Sequence, residues 1–384
     1  MQALITAKYA VISMWIYENT DWPDFTWDDA ALAVKLADAR HRQGKLLGRM
    51  EGLGFDLKQE ASLQTLTADV VKSSAIEGET LDPEEVRSSI AKRLGMDAGG
   101  LEPASRDVEG IVEMMLDATQ QHDEPLTALR LFDWHAALFP TGRSGMRRIT
   151  VAAWRPESVG PMQVVSGPIG KERVHFEAIP AAQLDQEMQG FLKWFESKQG
   201  IDPVLKAGIA HLWFVTIHPF EDGNGRTARA IADMALARGD GTAERFYSMS
   251  SQIEAERKDY YAELERQQRG TVDITPWLSW FLGCLGRALE GADETLSSVL
   301  IKAKLWDIIN QHPVNERQQS VLNRMMGDFE GHMNNSKYTK MAKTSPDTAL
   351  RDIRDLVERG ILIQNPGKGR STSYRLATPD EITE

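Results

Sequence analysis

The chain has 384 residues, 42% hydrophobic and 26% charged, with ten tryptophans, which excludes a disordered or fibrous protein and is enough for two or three domains, each with its own core. A net charge of −12 excludes coating of nucleic acid by the whole chain but leaves room for a local basic patch. The single cysteine, Cys284, excludes an internal disulfide and a multi-cysteine zinc site and reads as buried filler on a helix in a reducing compartment.

Residues 1–17 lack the pattern of a signal peptide, and Met14, just before a tryptophan-rich segment, is a candidate start that would make residues 1–13 an upstream extension. No stretch reaches the ~20 apolar residues needed to cross a bilayer, so the expectation is a cytoplasmic protein with no membrane partner. Residues 14–27 carry Trp15, Trp22, Phe25 and Trp27 around Pro23, an aromatic cluster suited to anchoring against a neighbouring domain. From Asp28 to about Ser74 the apolar residues follow the helical period, with Thr26 and Asp28 available as caps. A glycine-rich stretch over residues 94–103 reads as a linker, and helices resume from about Asp107 to Phe139.

The pattern then changes. Residues 149–178 are rich in Val, Ile and Gly and alternate on both sides of Ser-Gly-Pro-Ile-Gly, which predicts a β-hairpin. Helical spacing returns over 181–198 and again over 203–217, the second helix opened by Asp202 as cap and Pro203 in its first turn and ended at His218 by Pro219. A further helix starts near Asn224 and is expected to close at Gly239, with two more over 250–268 and 274–290. From about Lys302 the order becomes helix, helix, helix, then strand-turn-strand about Gly367 and Gly369, the layout of a winged helix. Between Lys337 and Arg375 there are nine Lys and Arg against four acidic residues, a local basic footprint for nucleic acid, with protein docking the other use of such a module.

Chemistry concentrates in residues 218–229, His-Pro-Phe-Glu-Asp-Gly-Asn-Gly-Arg-Thr-Ala-Arg. Gly223 and Gly225 around Asn224 let backbone N–H groups approach an anion at the start of a helix. Arg226 and Arg229, three apart, share a face and can hold separate phosphoryl groups. Asp222 stands where a divalent cation would bridge phosphates, and the imidazole of His218 suits proton removal from an incoming hydroxyl. Taken singly, these residues also read as a capped core histidine, an ordinary turn and a solvated helix face. Taken together they are the parts that phosphoryl-type transfer calls for.

All twelve positions resemble the signature of the Fic family: His-Pro-Phe, any residue, Asp or Glu, Gly-Asn-Gly-Arg, two residues of any kind, then Arg. The resemblance implies an autoinhibited protein adenylyltransferase that moves AMP from ATP to a Ser, Thr or Tyr hydroxyl of a protein and releases pyrophosphate. In that picture His218 is the base, Asp222 holds Mg, and Asn224 with the glycine N–H groups supports the α-phosphate. Arg226 holds the β-phosphate and Arg229 the γ-phosphate, while the hairpin near 162–178 is a flap that clamps the target. Tyr260 and Tyr261 are candidates for packing near adenine, with core packing the competing reading.

Upstream, Ser73-Ser74-Ala75-Ile76-Glu77-Gly78 ends a predicted helix and resembles the family's inhibitory motif, Ser or Thr, three residues, Glu, then Gly or Asn. Ser73, Glu77 and Gly78 are its defining positions, and Glu77 would pair with Arg229 in place of the γ-phosphate. Glu79 is a nearby competitor that lacks the serine and glycine spacing. The expected organisation is mainly α: a helical module with the inhibitory motif over 14–105, a Fic-type core with a β-hairpin flap over 106–295, and a winged helix over 300–384. The expected partner is a protein of unknown identity, the chain itself included, and a homodimer is compatible with the sequence. Rival readings are a DNA-binding regulator, with Thr348, Arg351 and Arg354 facing the major groove and Lys368 and Arg370 on phosphates, or a Fic enzyme that uses another nucleotide donor or removes AMP.

Overall fold

The computed structural model describes residues 15–53, 55–96, 104–168, 170–198, 200–310, 314–326, 329, 331–366, 372–378 and 381. Met14, residues 97–103 of the expected linker, and Gly367, Lys368, Gly369 and Arg370 of the expected wing lie outside the described residues. The protein is mainly α and divides into two compact units, Met1–Asp293 and Glu294–Glu384. Among the described residues, no helix is long and apolar enough to cross a membrane.

The first unit runs α1 (Asp29–Glu51), α2 (Phe55–Ile76), α3 (Pro83–Arg93), α4 (Arg106–Gln120), α5 (Ala128–Leu138), β1 (Arg143–Ser144), β2 (Arg147–Arg148), β3 (Gln163–Ser166), β4 (Arg173–Glu177), α6 (Leu184–Glu196), α7 (Pro203–Ile217), α8 (Asn224–Asp240), α9 (Met249–Ala255) and α10 (Arg257–Gln268). α11 (Thr275–Asn310) begins in this unit and continues beyond it. At the centre lies α7, buried from Val204 to Ile217 except at Lys206. A helix apolar on every side has neighbours on every side. Its start is as the sequence predicts: the Asp202 side chain accepts from the Val204 N–H at 2.8 Å, and Pro203 occupies the first turn. α11 crosses α7 at Gly208, whose carbonyl accepts from Trp277 Nε1 at 2.8 Å, and a Cβ there would lie 3.0 Å from Leu278.

The aromatic segment at the start acts as an anchor. Trp22 and Phe25 meet Trp213 of α7 edge-on, with centroids 6.2 and 5.5 Å apart, each such pair contributing about 0.5–1.5 kcal/mol beyond area burial. Helices α1 and α2 are fixed to the same core by polar contacts. Arg40 makes a two-pronged contact to Asp202, Gln43 donates to Tyr247 Oη at 3.1 Å, and Asp69 on α2 accepts from the Ser250 N–H at 3.2 Å.

Several expectations are corrected. α8 does not close at Gly239, which lies inside the helix where a Cβ would come 2.6 Å from Pro203 Cβ; the closing residue is Gly241, at φ +66°. A glycine chosen for close packing resembles a cap in sequence. The helix expected over 250–268 is broken at Glu256, and the helix expected to end at 290 runs on to Asn310. The hairpin of β3 and β4 is present, with a bulge between Val164 and Val165. A second small hairpin pairs β1 with β2, strands of two residues that carry no alternation in the sequence.

The second unit contains α12 (Glu316–Met326), α13 (Asn335–Met341), α14 (Pro346–Glu358), β5 (Leu362–Gln364) and β6 (Tyr374–Leu376) in the expected order, with β5 and β6 antiparallel. Val321, Leu322, Met333, Tyr338, Ile353 and Leu356 form its core. Buried Asp352 accepts from Arg317 Nε at 3.1 Å and from Tyr338 Oη at 3.3 Å.

Candidate active site

The buried helix α7 delivers His218 to the head of the loop. Its N–H still closes the last helical turn onto Phe214 at 2.9 Å, while its backbone turns left-handed (φ 53°, ψ 58°), a conformation uncommon for a side chain larger than glycine. The ring Nδ1 lies 3.2 Å from the Val215 carbonyl. A carbonyl only accepts, so Nδ1 carries the proton and Nε2 keeps its lone pair. Burial pushes the His218 pKa down to about 4, reinforced by nearby Arg155 and opposed by the Val215 contact, so the imidazole is neutral at physiological pH. Sequence reading missed Arg155. It is buried, donates from Nε to the His218 carbonyl at 2.9 Å and from Nη2 to the Ile179 carbonyl, and so ties the loop to the base of the hairpin.

The rest of the loop is shaped by Asn224 and two glycines. Asn224 braces the loop: its Oδ1 accepts from the Phe220 N–H and its Nδ2 donates to the Phe220 carbonyl, both at 2.9 Å. The Asn224 side chain thus folds the loop by bridging the Phe220 backbone, with one Nδ2 proton and one Oδ1 lone pair left over. Gly223 is left-handed (φ +79°), and a Cβ there would lie 2.9 Å from the Phe139 ring. The first N–H groups of α8 have no helical partner and point at the loop. Arg226 and Arg229, on the first turns of α8, are 4% and 2% exposed. Buried donors remain on both, Nε of Arg226 and Nη1 of Arg229, with no hydrogen-bond partner among the described residues. Two desolvated cations with unspent donors beside a glycine loop are what an anionic ligand with several phosphates needs.

What faces them is the end of α2. The Gly78 N–H donates to the Ala75 carbonyl and the Glu79 N–H to the Ser74 carbonyl, both at 3.0 Å, with Gly78 at φ +87°. This is the Schellman closure of a helix, and it presents Glu77 and Glu79 on either side of Gly78. Glu77 Oε1 accepts from Arg229 Nη2 at 2.8 Å, while Ser73 accepts from Arg229 Nε at its Oγ and from Nη2 at its carbonyl, both at 2.9 Å. Burial works against charge on Arg229, and the Glu77 carboxylate, with the Tyr260 and Tyr261 hydroxyls beside it, more than offsets that, so its pKa is raised. A Cβ on Gly225 would come 2.1 Å from Glu77 Oε1. The carboxylate therefore occupies the close-approach space that the glycine opens. Glu79, which sequence reading set aside, accepts from Arg226 Nη1 at 2.6 Å.

Asp222 is the loop's acidic residue. Its Oδ2 accepts from Ser144 Oγ of the small hairpin, and its Oδ1 stands 3.9 Å from Arg226 Nη2. Its carbonyl accepts from Nε2 of His135 at 3.2 Å; that ring stacks on Phe220, and its pKa is pushed down to about 4 by burial. No cluster of three or more metal-ligating side chains occurs among the described residues. One partly exposed carboxylate suits a magnesium ion held mainly by the phosphates of a nucleotide rather than by a protein cage.

The two tyrosines separate. Tyr260 is corrected to the core: it is 2% exposed, its Oη meets His211 Nε2 at 2.9 Å, and its ring packs with Trp277 and Trp280. Such a ring has no face left for adenine. Tyr261 is 39% exposed and donates from Oη to the Ile76 carbonyl at 3.2 Å, pinning the end of α2.

The hairpin stands beside the loop. Arg173 and His175 of β4 contact Glu265 on α10 at 2.7 and 2.6 Å, and Trp15 and Tyr17 meet Phe176 edge-on. Its other strand, β3, pairs only with β4 among the described residues and exposes Val164 and Val165.

Residues 125–236 match the Fic/DOC family, and residues 15–96 match a domain of unknown function, DUF4172. The chain is 33% identical over 109 residues to the protein adenylyltransferase Fic of Nematostella vectensis, covering 28% of this chain and 24% of that one. It is 25% identical over 243 residues to the protein adenylyltransferase Fic of Aedes aegypti, covering 60% of this chain and 42% of that one. The aligned part thus spans about a quarter to two fifths of these relatives. A crystal structure of a Fic family protein from Desulfovibrio desulfuricans G20 shares the fold with a TM-score of 0.51 at 21% identity, covering 90% of this chain and 96% of that one.

Proposed function

We propose that this chain is a protein adenylyltransferase of the Fic family, using ATP and held at rest by its own α2. The observation that carries the reading is the Glu77 carboxylate lying against Gly225 and on Arg229, an anion of the chain seated where a phosphate would bind. Support also comes from the relatives, which are named protein adenylyltransferases.

In the proposed reaction the target hydroxyl oxygen attacks the α-phosphorus, and its proton passes to Nε2 of His218, which is neutral and carries the lone pair. The bond from the α-phosphorus to the bridging oxygen breaks, pyrophosphate leaves, and AMP remains on the protein. N–H groups at the start of α8 face the α-phosphate, Arg226 the β-phosphate and Arg229 the γ-phosphate. Asp222 is the side chain that would hold magnesium, which would supply charge neutralisation to the phosphates of the nucleotide. Arg155 keeps the His218 carbonyl in place. The open edge of β3 is suited to receive an extended segment of the target by strand addition, with Val164 and Val165 beside it.

The reading is tested by incubating Glu77→Gly protein with ATP and magnesium and searching it and added host proteins by mass spectrometry for adenylyl adducts. The expected result is adducts with Glu77→Gly and none when His218→Ala is added. Absence of adducts from Glu77→Gly, or their persistence without His218, overturns it.

One observation favours a second role, for the second unit. On α14 Arg351 and Arg354 are exposed, whereas Asp352 is turned inward to Arg317 and Asp355 is engaged by Gln318 and Arg359. The middle of the outer face of α14 is thus basic, between exposed Asp347 and Glu358 at its two ends, and the two arginines are what would meet DNA phosphates in a winged-helix contact. Duplex binding at low salt that weakens in Arg351→Ala/Arg354→Ala supports it, and no binding by the full chain refutes it.

A further inference from the structure

The Schellman turn that ends α2 presents two carboxylates to the loop, and each meets a different arginine. Glu77 is on Arg229 at 2.8 Å and Glu79 on Arg226 at 2.6 Å. Arg226 has little freedom to look elsewhere: its side chain is 5% exposed and its guanidinium lies 5.2 Å over the Phe139 ring. The other carboxylate nearby, Asp222, stands at 3.9 Å, beyond hydrogen-bond reach. A guanidinium so desolvated needs an anionic partner at all times. In the resting chain Glu79 supplies it.

We infer that Glu79 is a second gating residue, which takes the β-phosphate's place on Arg226 independently of the hold that Glu77 has on Arg229. The inference rests on the reading of the loop as an ATP site and goes beyond it by assigning the two carboxylates to two different phosphates. The pairs also differ in strength. The Glu79 side chain is 50% exposed and turns into water at small cost, whereas Glu77 is 29% exposed and faces an arginine that is 2% exposed. Nucleotides are therefore sorted by phosphate count: AMP displaces neither carboxylate, ADP displaces Glu79, and ATP displaces both.

Titration calorimetry of the full chain with AMP, ADP and ATP in magnesium separates the two contacts. Glu79→Gln keeps shape and removes charge; it is expected to tighten ADP about tenfold, the equivalent of one charge-assisted contact, and to leave AMP unchanged. Glu77→Gln is expected to tighten ATP and leave ADP within about twofold of wild type. Should Glu79→Gln leave ADP affinity where it was while Glu77→Gln tightens ATP, the role of Glu79 is overturned and the ATP site stands. Should none of the proteins bind any of the three nucleotides, both fall. An equal gain for AMP and ADP in Glu79→Gln also overturns the inference, because AMP has no group for Arg226.

Discussion

Replacing Glu77 by glycine removes the contact that, on the proposed reading, closes the site, and the geometry of that contact gives the size of the expected effect. The lost interaction is a 2.8 Å charge-assisted hydrogen bond to a guanidinium that is 2% exposed, made by a carboxylate that is 29% exposed. Such bonds are worth about 1.5–3 kcal/mol, equivalent to roughly a 10- to 150-fold change in the population able to seat the γ-phosphate. Arg229 is not released, because Ser73 still accepts from its Nε and Nη2, so the variant has an open site rather than a collapsed one. Its buried charge, however, has lost its partner. The melting temperature should fall, and ATP, by binding only the folded state, should restore much of the loss. The assay is the initial rate of label transfer from ATP, read beside thermal melts with and without nucleotide. A rate at or below that of wild type, in a variant that melts cooperatively and is stabilised by ATP, would refute the reasoning.

Other expectations follow from the same contacts. Gly225→Ala puts a Cβ 2.1 Å from where Glu77 Oε1 sits, so it displaces the carboxylate and equally blocks a phosphate; label transfer should be absent even in combination with Glu77→Gly. Chelation of magnesium, or Asp222→Ala in the Glu77→Gly background, should abolish transfer, with added magnesium reversing the first and not the second. His135 and His211 are buried, and burial pushes their pKa values down to about 4 and about 3. Their stabilising contribution is full above the unfolded value near 6.5 and is lost as pH falls toward the folded values, by about 1.4 kcal/mol per pH unit for each imidazole. Urea midpoints should therefore drop between pH 6.5 and pH 5, and a flat profile would contradict the burial of these rings. Gly239→Ala, whose Cβ would lie 2.6 Å from Pro203 Cβ, should cost about 1–3 kcal/mol in the same measurement.

The loop from His218 to Arg229 was legible in sequence because its parts are neighbours: a helix stop at Pro219, two glycines and an arginine pair within one turn fix each other's geometry locally. The α7 cap at Asp202 and Pro203 was legible for the same reason. Contacts at long range were not. The partners Glu77 and Arg229 are separated by 152 positions, and only resemblance to a known motif joined them in the sequence. Glu79 had no such guide; its reach to Arg226 depends on the turn made by Gly78, which becomes visible once the helix end is seen. The bridge that Asn224 makes to the Phe220 backbone was not legible, because an amide in a turn carries no sign of which backbone groups it will meet. Gly239 misled, because a glycine placed for a close approach to Pro203 reads as a stop. Arg155 carried no signal at all, since a lone arginine before a proline gives no hint of the carbonyls that it will meet.

The most direct test of AMP transfer through His218 is which phosphate of ATP ends up on protein. Glu77→Gly protein is supplied with ATP labelled at the α-phosphate or at the γ-phosphate, with His218→Ala as the paired control. The account predicts protein-bound label from the α position only, and none once His218 is replaced. Label arriving from the γ position, or α label that survives the loss of His218, would contradict it.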